Sequence, residues 1–230
     1  MTILSVCQDV SVALNQDDLS SVFTSTDPFA KELRMLANEA AYDIAKACDW
    51  QTLTKLQTMT GDGVVTAFDL PSDYDRMPVK ARVMTAQFAE PLVMVNDLDQ
   101  WLDLQIYDYT AFPGYYAILG GQMNVVPALS LGVEAKYYYQ RNTIVRAQDA
   151  SLKSAFSADD DVFILPERLL KLALIWRWRS QKRFEYAEDM LNYEKALSED
   201  MARDRGSRVI AKGGRYPIRN THIAYPWSLG

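Results

Sequence analysis

Residues 165–205 read LPERLLKLALIWRWRSQKRFEYAEDMLNYEKALSEDMARDR, and how this stretch is taken decides the fold. Pro166 suits a first helical position, where its missing N–H would be unpaired anyway, and Glu167 favours the positive end of a helix dipole. No further proline or glycine interrupts the run until Gly206, which reads as a left-handed stop with Arg203 and Arg205 near the negative end. The expectation is one long C-terminal helix over Leu165–Arg205, which at 1.5 Å per residue would reach about 60 Å. Leu169, Leu170, Leu172, Ala173, Leu174, Ile175, Trp176 and Trp178 make its first third apolar nearly all round, so that part is buried on most sides. Phe184, Ala187, Met190, Leu191, Leu197 and Met201 continue a narrower stripe.

Working outward, the chain before this helix holds two shorter ones. Ile3, Cys7, Val10 and Leu14 fall at helical spacing over residues 3–14. Asn15 to Thr26 is a polar loop with Leu19, Val22 and Phe23 as anchors. Asp27-Pro28 supplies an N-cap acceptor followed by proline, and Phe29, Leu33, Leu36, Ala37, Ala40, Ile44 and Ala47 form the apolar stripe of a second helix ending near Cys48. Beyond Trp50 the period becomes that of strands. Gly61-Asp62-Gly63 reads as a turn, Val64–Leu70 as a strand stopped by Pro71, and the alternation of Val79, Ala81 and Val83 as another. Leu92–Val95 is a short strand, and Leu98, Trp101, Leu102 and Ile106 mark a small inserted helix. Gly120-Gly121 between Tyr115–Leu119 and Gln122–Val126 signals a hairpin, closed by Pro127. Val133, Ala135, Tyr137 and Tyr139 give one more strand, and Gln148–Asp161 reads as a polar linker.

The fold class is therefore α+β. Residues 1–50 and 147–205 form a helical body, 51–146 an inserted small antiparallel β domain, and 206–230 an extended tail. That tail combines Gly213-Gly214, Pro217 and Pro226, which exclude a helix, with Val209, Ile210, Tyr216, Ile218, Ile223, Tyr225 and Trp227. Such a segment becomes ordered by lying on a partner. Charge agrees: from Arg203 onward six basic residues oppose one acidic residue, giving +5, which leaves −11 on the remainder of a chain whose net charge is −6. A basic end on an acidic body fits an acidic protein surface or nucleic acid as partner, although a basic disordered tail would have the same composition.

Chemistry is sparse. His222 is the single histidine, so a catalytic triad or histidine metal site is not expected, and no phosphate loop, HExxH or paired CxxC occurs. Asp159-Asp160-Asp161 offers hard-cation oxygens but reads first as a solvated turn, as do Asp73 and Asp75. Cys7 and Cys48 lack ligand spacing and read as small core residues of a reduced compartment. No apolar run is long enough for a bilayer and no basic leader opens the chain. The expectation is a protein that is no enzyme and takes no cofactor or metal. Tyr107, Tyr109, Phe112, Tyr115, Tyr116, Tyr137, Tyr138 and Tyr139 crowd the β region. They could stack sugars or single-stranded bases, or fill a core and meet a protein neighbour.

The order of features resembles the adaptor, or head-completion, proteins of tailed bacteriophages, including the tail accessory factors of short-tailed phages. It runs from STDPFAKELRMLANEAAYDIAKACDW, through GDGVVTAFDLPSDYDRM, YYAILGGQMNVVP and EAKYYYQ, to DDDVFILPERLLKLALIWRWRSQ and the extended end. The resemblance covers essentially the whole chain. It implies a structural virion protein at the capsid–tail junction, assembled in the host cytoplasm, in a ring of about twelve copies (a dodecamer) beneath the portal. Its partners would be the portal protein, tail proteins such as nozzle, tube or fibre components, and its own copies, with genomic DNA passing the channel without specific binding and no membrane contact. The same resemblance implies that the C-terminal segment docks on the portal. In this chain that segment offers Arg208, Lys212, Arg215, Tyr216, Arg219, His222, Tyr225 and Trp227.

Overall fold

A computed structural model describes residues 1–107 and 113–204. The C-terminal docking residues expected from the sequence, from Arg208 to Trp227, lie outside the described residues, as do Tyr109 and Phe112.

The N-terminal helices follow from their caps. Helix α1 spans Ile3–Ala13, with Thr2 accepting from the Ser5 N–H, and α2 spans Pro28–Ala47, with the Asp27 carboxylate accepting from Phe29 N–H. Each satisfies a first-turn donor that the helix itself leaves unpaired. Leu19 and Val22, in the loop between them, are buried as expected. Trp50 ends α2 by folding under it, its indole N–H donating to the Ile44 carbonyl at 2.8 Å.

The long C-terminal helix is two helices. Helix α4 covers Glu167–Gln181 and α5 covers Ala187–Asp204, with α3 (Leu98–Ile106) lying earlier in the chain. At the break Arg183 takes a left-handed conformation, φ 60°. Its N–H donates to the Ser180 carbonyl at 3.1 Å, and the next N–H, of Phe184, reaches back to the Arg179 carbonyl at 2.9 Å. This pair of reversed bonds is the Schellman closure of a helix C-terminus, and the Phe184 ring completes it by packing on Trp178, centroids 6.0 Å apart. Glycine is the usual residue at the left-handed position. Arginine holds it here, so the stop carried no punctuation in the sequence. The turn lets α5 fold back so that Tyr193 and Ala196 are buried, Tyr193 lying 6.2 Å from the Trp176 ring. Pro166 occupies the cap position of α4, one residue before the first turn.

Helix α4 is the centre of the bundle, packing on α1, α2 and α5. Its nearly all-apolar first half is accounted for by this position: Leu169, Leu170, Ala173 and Leu174 are fully buried, in one cluster with Ile3, Val10, Leu33, Ile44 and Trp50.

The β region comprises β1 (Thr54–Thr60), β2 (Ala67–Asp69), β3 (Tyr74–Arg76), β4 (Met84–Thr85), β5 (Val93–Met94), β6 (Tyr115–Leu119), β7 (Gln122–Val126) and β8 (Glu134–Arg141). In one sheet β8 pairs with β1 on one side and with β3 and β4 on the other, while a second runs β2-β7-β6-β5. All pairs are antiparallel except β5 with β6, which is parallel. Gly120 and Gly121, φ 59° and 80°, form the two-residue hairpin turn that only such backbone angles permit. Gly61 is required by crowding: a side chain there would meet the Leu129 carbonyl at 2.4 Å.

Three further expectations are corrected. The alternating residues 79–83 are not a strand. Val79 is exposed, Lys80 has φ 70° in a tight turn, and pairing begins only at Val83. Gln148–Asp161 is not a solvated linker either. Strand β9 (Val145–Arg146) pairs with β10 (Leu152–Lys153) and with β11 (Val162–Phe163), and Phe156 is buried between them and the helices. The strand expected over Val64–Leu70 shortens to β2.

Candidate interaction surfaces

Among the described residues no group of three or more His, Cys, Asp or Glu is placed to hold a metal ion. The aspartate triplet shows what its oxygens do instead. Asp159 accepts from the Ser21 hydroxyl at 2.6 Å and from the Val22 and Phe23 N–H groups at 2.9 and 3.0 Å. Asp161 accepts from the Ser157 and Ala158 N–H groups at 2.7 and 3.0 Å and from Lys153 Nζ at 3.0 Å. Burial works against both charges, but these donors outweigh it and hold each carboxyl below the ordinary range. The backbone carbonyls of the same two residues accept from Leu4 and Ile3, closing the first turn of α1. Asp159 and Asp161 are thus fastenings between the N-terminal loop, α1 and the segment leading to α4, and Asp160 is exposed.

A second polar cluster joins α2 to the first sheet. Arg76 donates to the Cys48 carbonyl at 2.9 Å and pairs with Asp75 at 2.7 Å and Asp49 at 3.3 Å, while Lys46 also pairs with Asp75. These cations complement the exposed carbonyls at the negative end of α2. The adjoining cavity, lined by Tyr42, Lys46, Arg76, Gln140 and Arg141, holds about 30 Å³, room for ordered water and no substrate. Asp73 accepts from Lys55 at 2.5 Å and from the Tyr139 hydroxyl at 2.7 Å. Burial and that aspartate's charge raise the Tyr139 pKa.

The tyrosine-rich strand resolves into two faces by strict alternation. Ala135, Tyr137 and Tyr139 point into the core between the two sheets, with Met59, Tyr116, Met123 and Val125. Burial pushes the Tyr137 hydroxyl to about 12. Glu134, Lys136 and Tyr138 point outward, and Tyr138 is the one tyrosine of β8 left exposed. The tyrosines therefore build a core, and no stacking platform of several rings is presented by the described residues. The second sheet is covered on its far side by α3, whose Trp101 and Leu104 pack on Val95, Ala117, Leu119 and Val126.

The described chain finishes against the turn at Gln51–Leu53 that precedes β1. The Asp204 carboxylate accepts from Gln51 N–H at 2.9 Å, in a cleft lined by Trp50, Thr52, Leu165, Pro166, Asp200 and Arg203. The basic, aromatic C-terminal segment follows Asp204 in sequence and lies outside the described residues.

A sequence model of the family described as "SU10 adaptor protein" matches residues 1–219. The chain belongs to that family. Membership gives it a structural adaptor role in a phage particle, implies a non-enzymatic protein that interacts with portal and tail components, and agrees with the resemblance drawn from the order of its motifs. The match takes in Arg208, Lys212, Arg215, Tyr216 and Arg219 of this adaptor, and ends before His222, Tyr225 and Trp227. No curated protein matches the chain. Among the described residues no helix of the adaptor is long and apolar enough to cross a membrane.

Proposed function

We propose that this adaptor assembles as a ring of about twelve copies beneath the portal, joining capsid to tail and extending the channel through which DNA passes. The observation that carries the reading is the family match over residues 1–219. Residues 1–50 and 147–205 act as the helical body, 51–146 as an inserted domain carrying the tail-facing and subunit-facing surfaces, and 206–230 as the portal-docking segment. The segment's cationic and aromatic residues, Arg208, Lys212, Arg215, Tyr216, Arg219, His222, Tyr225 and Trp227, suit an acidic, partly apolar portal surface. Net charge of −11 outside residues 203–230 suits a channel lining, because it repels phosphates and lets DNA slide.

The test is mass measurement of the protein alone and after mixing with its portal, with and without residues 206–230. The expected result is a closed ring on the portal with the full chain. The truncated chain should keep its circular dichroism spectrum and thermal transition yet fail to decorate. Decoration by the truncated chain would refute the docking role.

A further inference from the structure

We propose that opposite faces of the β unit are the two halves of one head-to-tail contact between copies: the outer face of the β1–β8–β4 sheet on one copy seats against the outer stripe of α3 on the next. This rests on the ring reading and says which surfaces would close it.

The β unit is three layers deep. The β1–β8 sheet and the β2-β7-β6-β5 sheet enclose one core between them, and α3 covers the far side of the second sheet. Its outermost surfaces are therefore the solvent face of the first sheet and the solvent side of α3, on opposite sides of the unit. Both are apolar where a solvated surface would be polar. Leu98, Leu102 and Ile106 repeat every four residues along α3, on the side away from Trp101 and Leu104, and each is more than half exposed. On the sheet, Leu56 and Tyr138 sit directly across the β1–β8 ladder, and Met84 sits across from Lys136 on β4. All three are again more than half exposed. Large exposed side chains in rows of this kind mark an interface.

Charge separates the two faces. Helix α3 carries Asp97, Asp99 and Asp103 and no basic residue, and none of the three forms an ion pair with another described residue. The sheet side carries Arg82 and Lys80 in the segment that leads into β4, beside an outward Lys136–Glu134 pair whose charges cancel. Arg82 and Lys80 are both exposed, and neither is paired among the described residues. An acidic apolar stripe and a basic apolar face fit each other better than either fits itself, which selects a second copy as occupant. Two different faces in contact make a heterologous interface, the kind that repeats into a ring when the rotation closes.

The experiment mixes full-length copies carrying Leu102→Cys with copies carrying Tyr138→Cys, on the portal, and adds a short bismaleimide. The native Cys7 and Cys48 are buried and contribute little background. The expected result is a cross-linked pair from the mixture, with at least about tenfold less from either variant alone. Absence of the pair, or equal linking of one variant to itself, overturns the proposal. Leu102→Asp and Tyr138→Asp, each with an unchanged thermal transition, should both abolish ring closure, and rings formed by either variant overturn it as well. A wild-type ring without the cross-link leaves the ring reading standing and this contact refuted. A cross-link without a ring does the reverse.

Discussion

Replacing Arg183 by glycine has an effect whose sign depends on the architecture. In a continuous 165–205 helix, position 183 is mid-helix and glycine costs about 1 kcal/mol relative to a good helix former. In the structure Arg183 sits at φ 60°. A left-handed conformation costs a residue with a Cβ about 1–2 kcal/mol and costs glycine almost nothing. Glycine's looser unfolded chain takes back about 0.5–1 kcal/mol of that relief. The net expectation is a gain of about 0.5–1 kcal/mol, or roughly 1–4 °C in the midpoint for a chain of this size. Arg183 is exposed, so the substitution removes little packing. The two closing bonds, from Arg183 and Phe184 N–H, are backbone bonds that glycine keeps. Urea unfolding followed by tryptophan fluorescence measures the change, provided the slope against urea is unaltered. Arg183→Val, with a branched Cβ at the same angle, should lose more than about 1 kcal/mol. A loss of about 1 kcal/mol on Arg183→Gly would refute the Schellman turn and restore the single helix.

Asp161→Ala should destabilise by about 2–4 kcal/mol in the same assay, because it leaves the Ser157 and Ala158 N–H donors without their buried acceptor, while the part-exposed Lys153 keeps Ser157 Oγ and solvent. A loss below about 1 kcal/mol would show that the 153–161 segment is not a fastening. Adding a divalent cation should leave the wild-type midpoint unchanged, since the Asp159 and Asp161 oxygens are already occupied by protein donors. Burial, with the charge of Asp159 adding, pushes the Cys7 thiol up to about 12, so it should resist a thiol reagent at pH 8 until the chain is unfolded. Stability should hold from neutral pH down to about 4, the ordinary carboxyl range, and fall below it. The reason is that Asp73, Asp159 and Asp161 titrate lower when folded than when unfolded, so their contribution is lost as pH drops through the folded values. Tyr137 acts in the opposite direction: neutral when folded up to about 12, it withdraws stability as pH rises above the ordinary tyrosine value of about 10. A urea midpoint that rises on acidification would contradict this.

What the sequence determined was whatever is written within one turn or one ladder. Asp27-Pro28 sets the start of α2 because cap and first turn are neighbours in the chain, and Gly120-Gly121 sets the hairpin because its angles belong to glycine. The alternation of residues 134–139 likewise assigned Tyr137 and Tyr139 to one face before any partner was known. The order of these local signals also carried the family resemblance, which the family match over residues 1–219 bears out.

Tertiary structure decided the rest. Residues 181–186 hold no glycine or proline, and helix propensity alone would carry them through. The break exists because folding α5 back on α4 buries Tyr193 and Ala196 and closes Phe184 onto Trp178, contacts between residues that a straight helix would hold apart. The same holds for the segment 148–161, polar in composition yet fixed by donors from residues 21–23 more than a hundred positions earlier. Alternation at 79–83 failed for the converse reason: a strand needs a neighbour to pair with, and the chain turns at Lys80 before one is reached. Which apolar residues of α3 and β8 face water also had to wait for the three-layer packing. A stripe read along one helix shows that two sides differ, and only the layer beneath it shows which side is left uncovered.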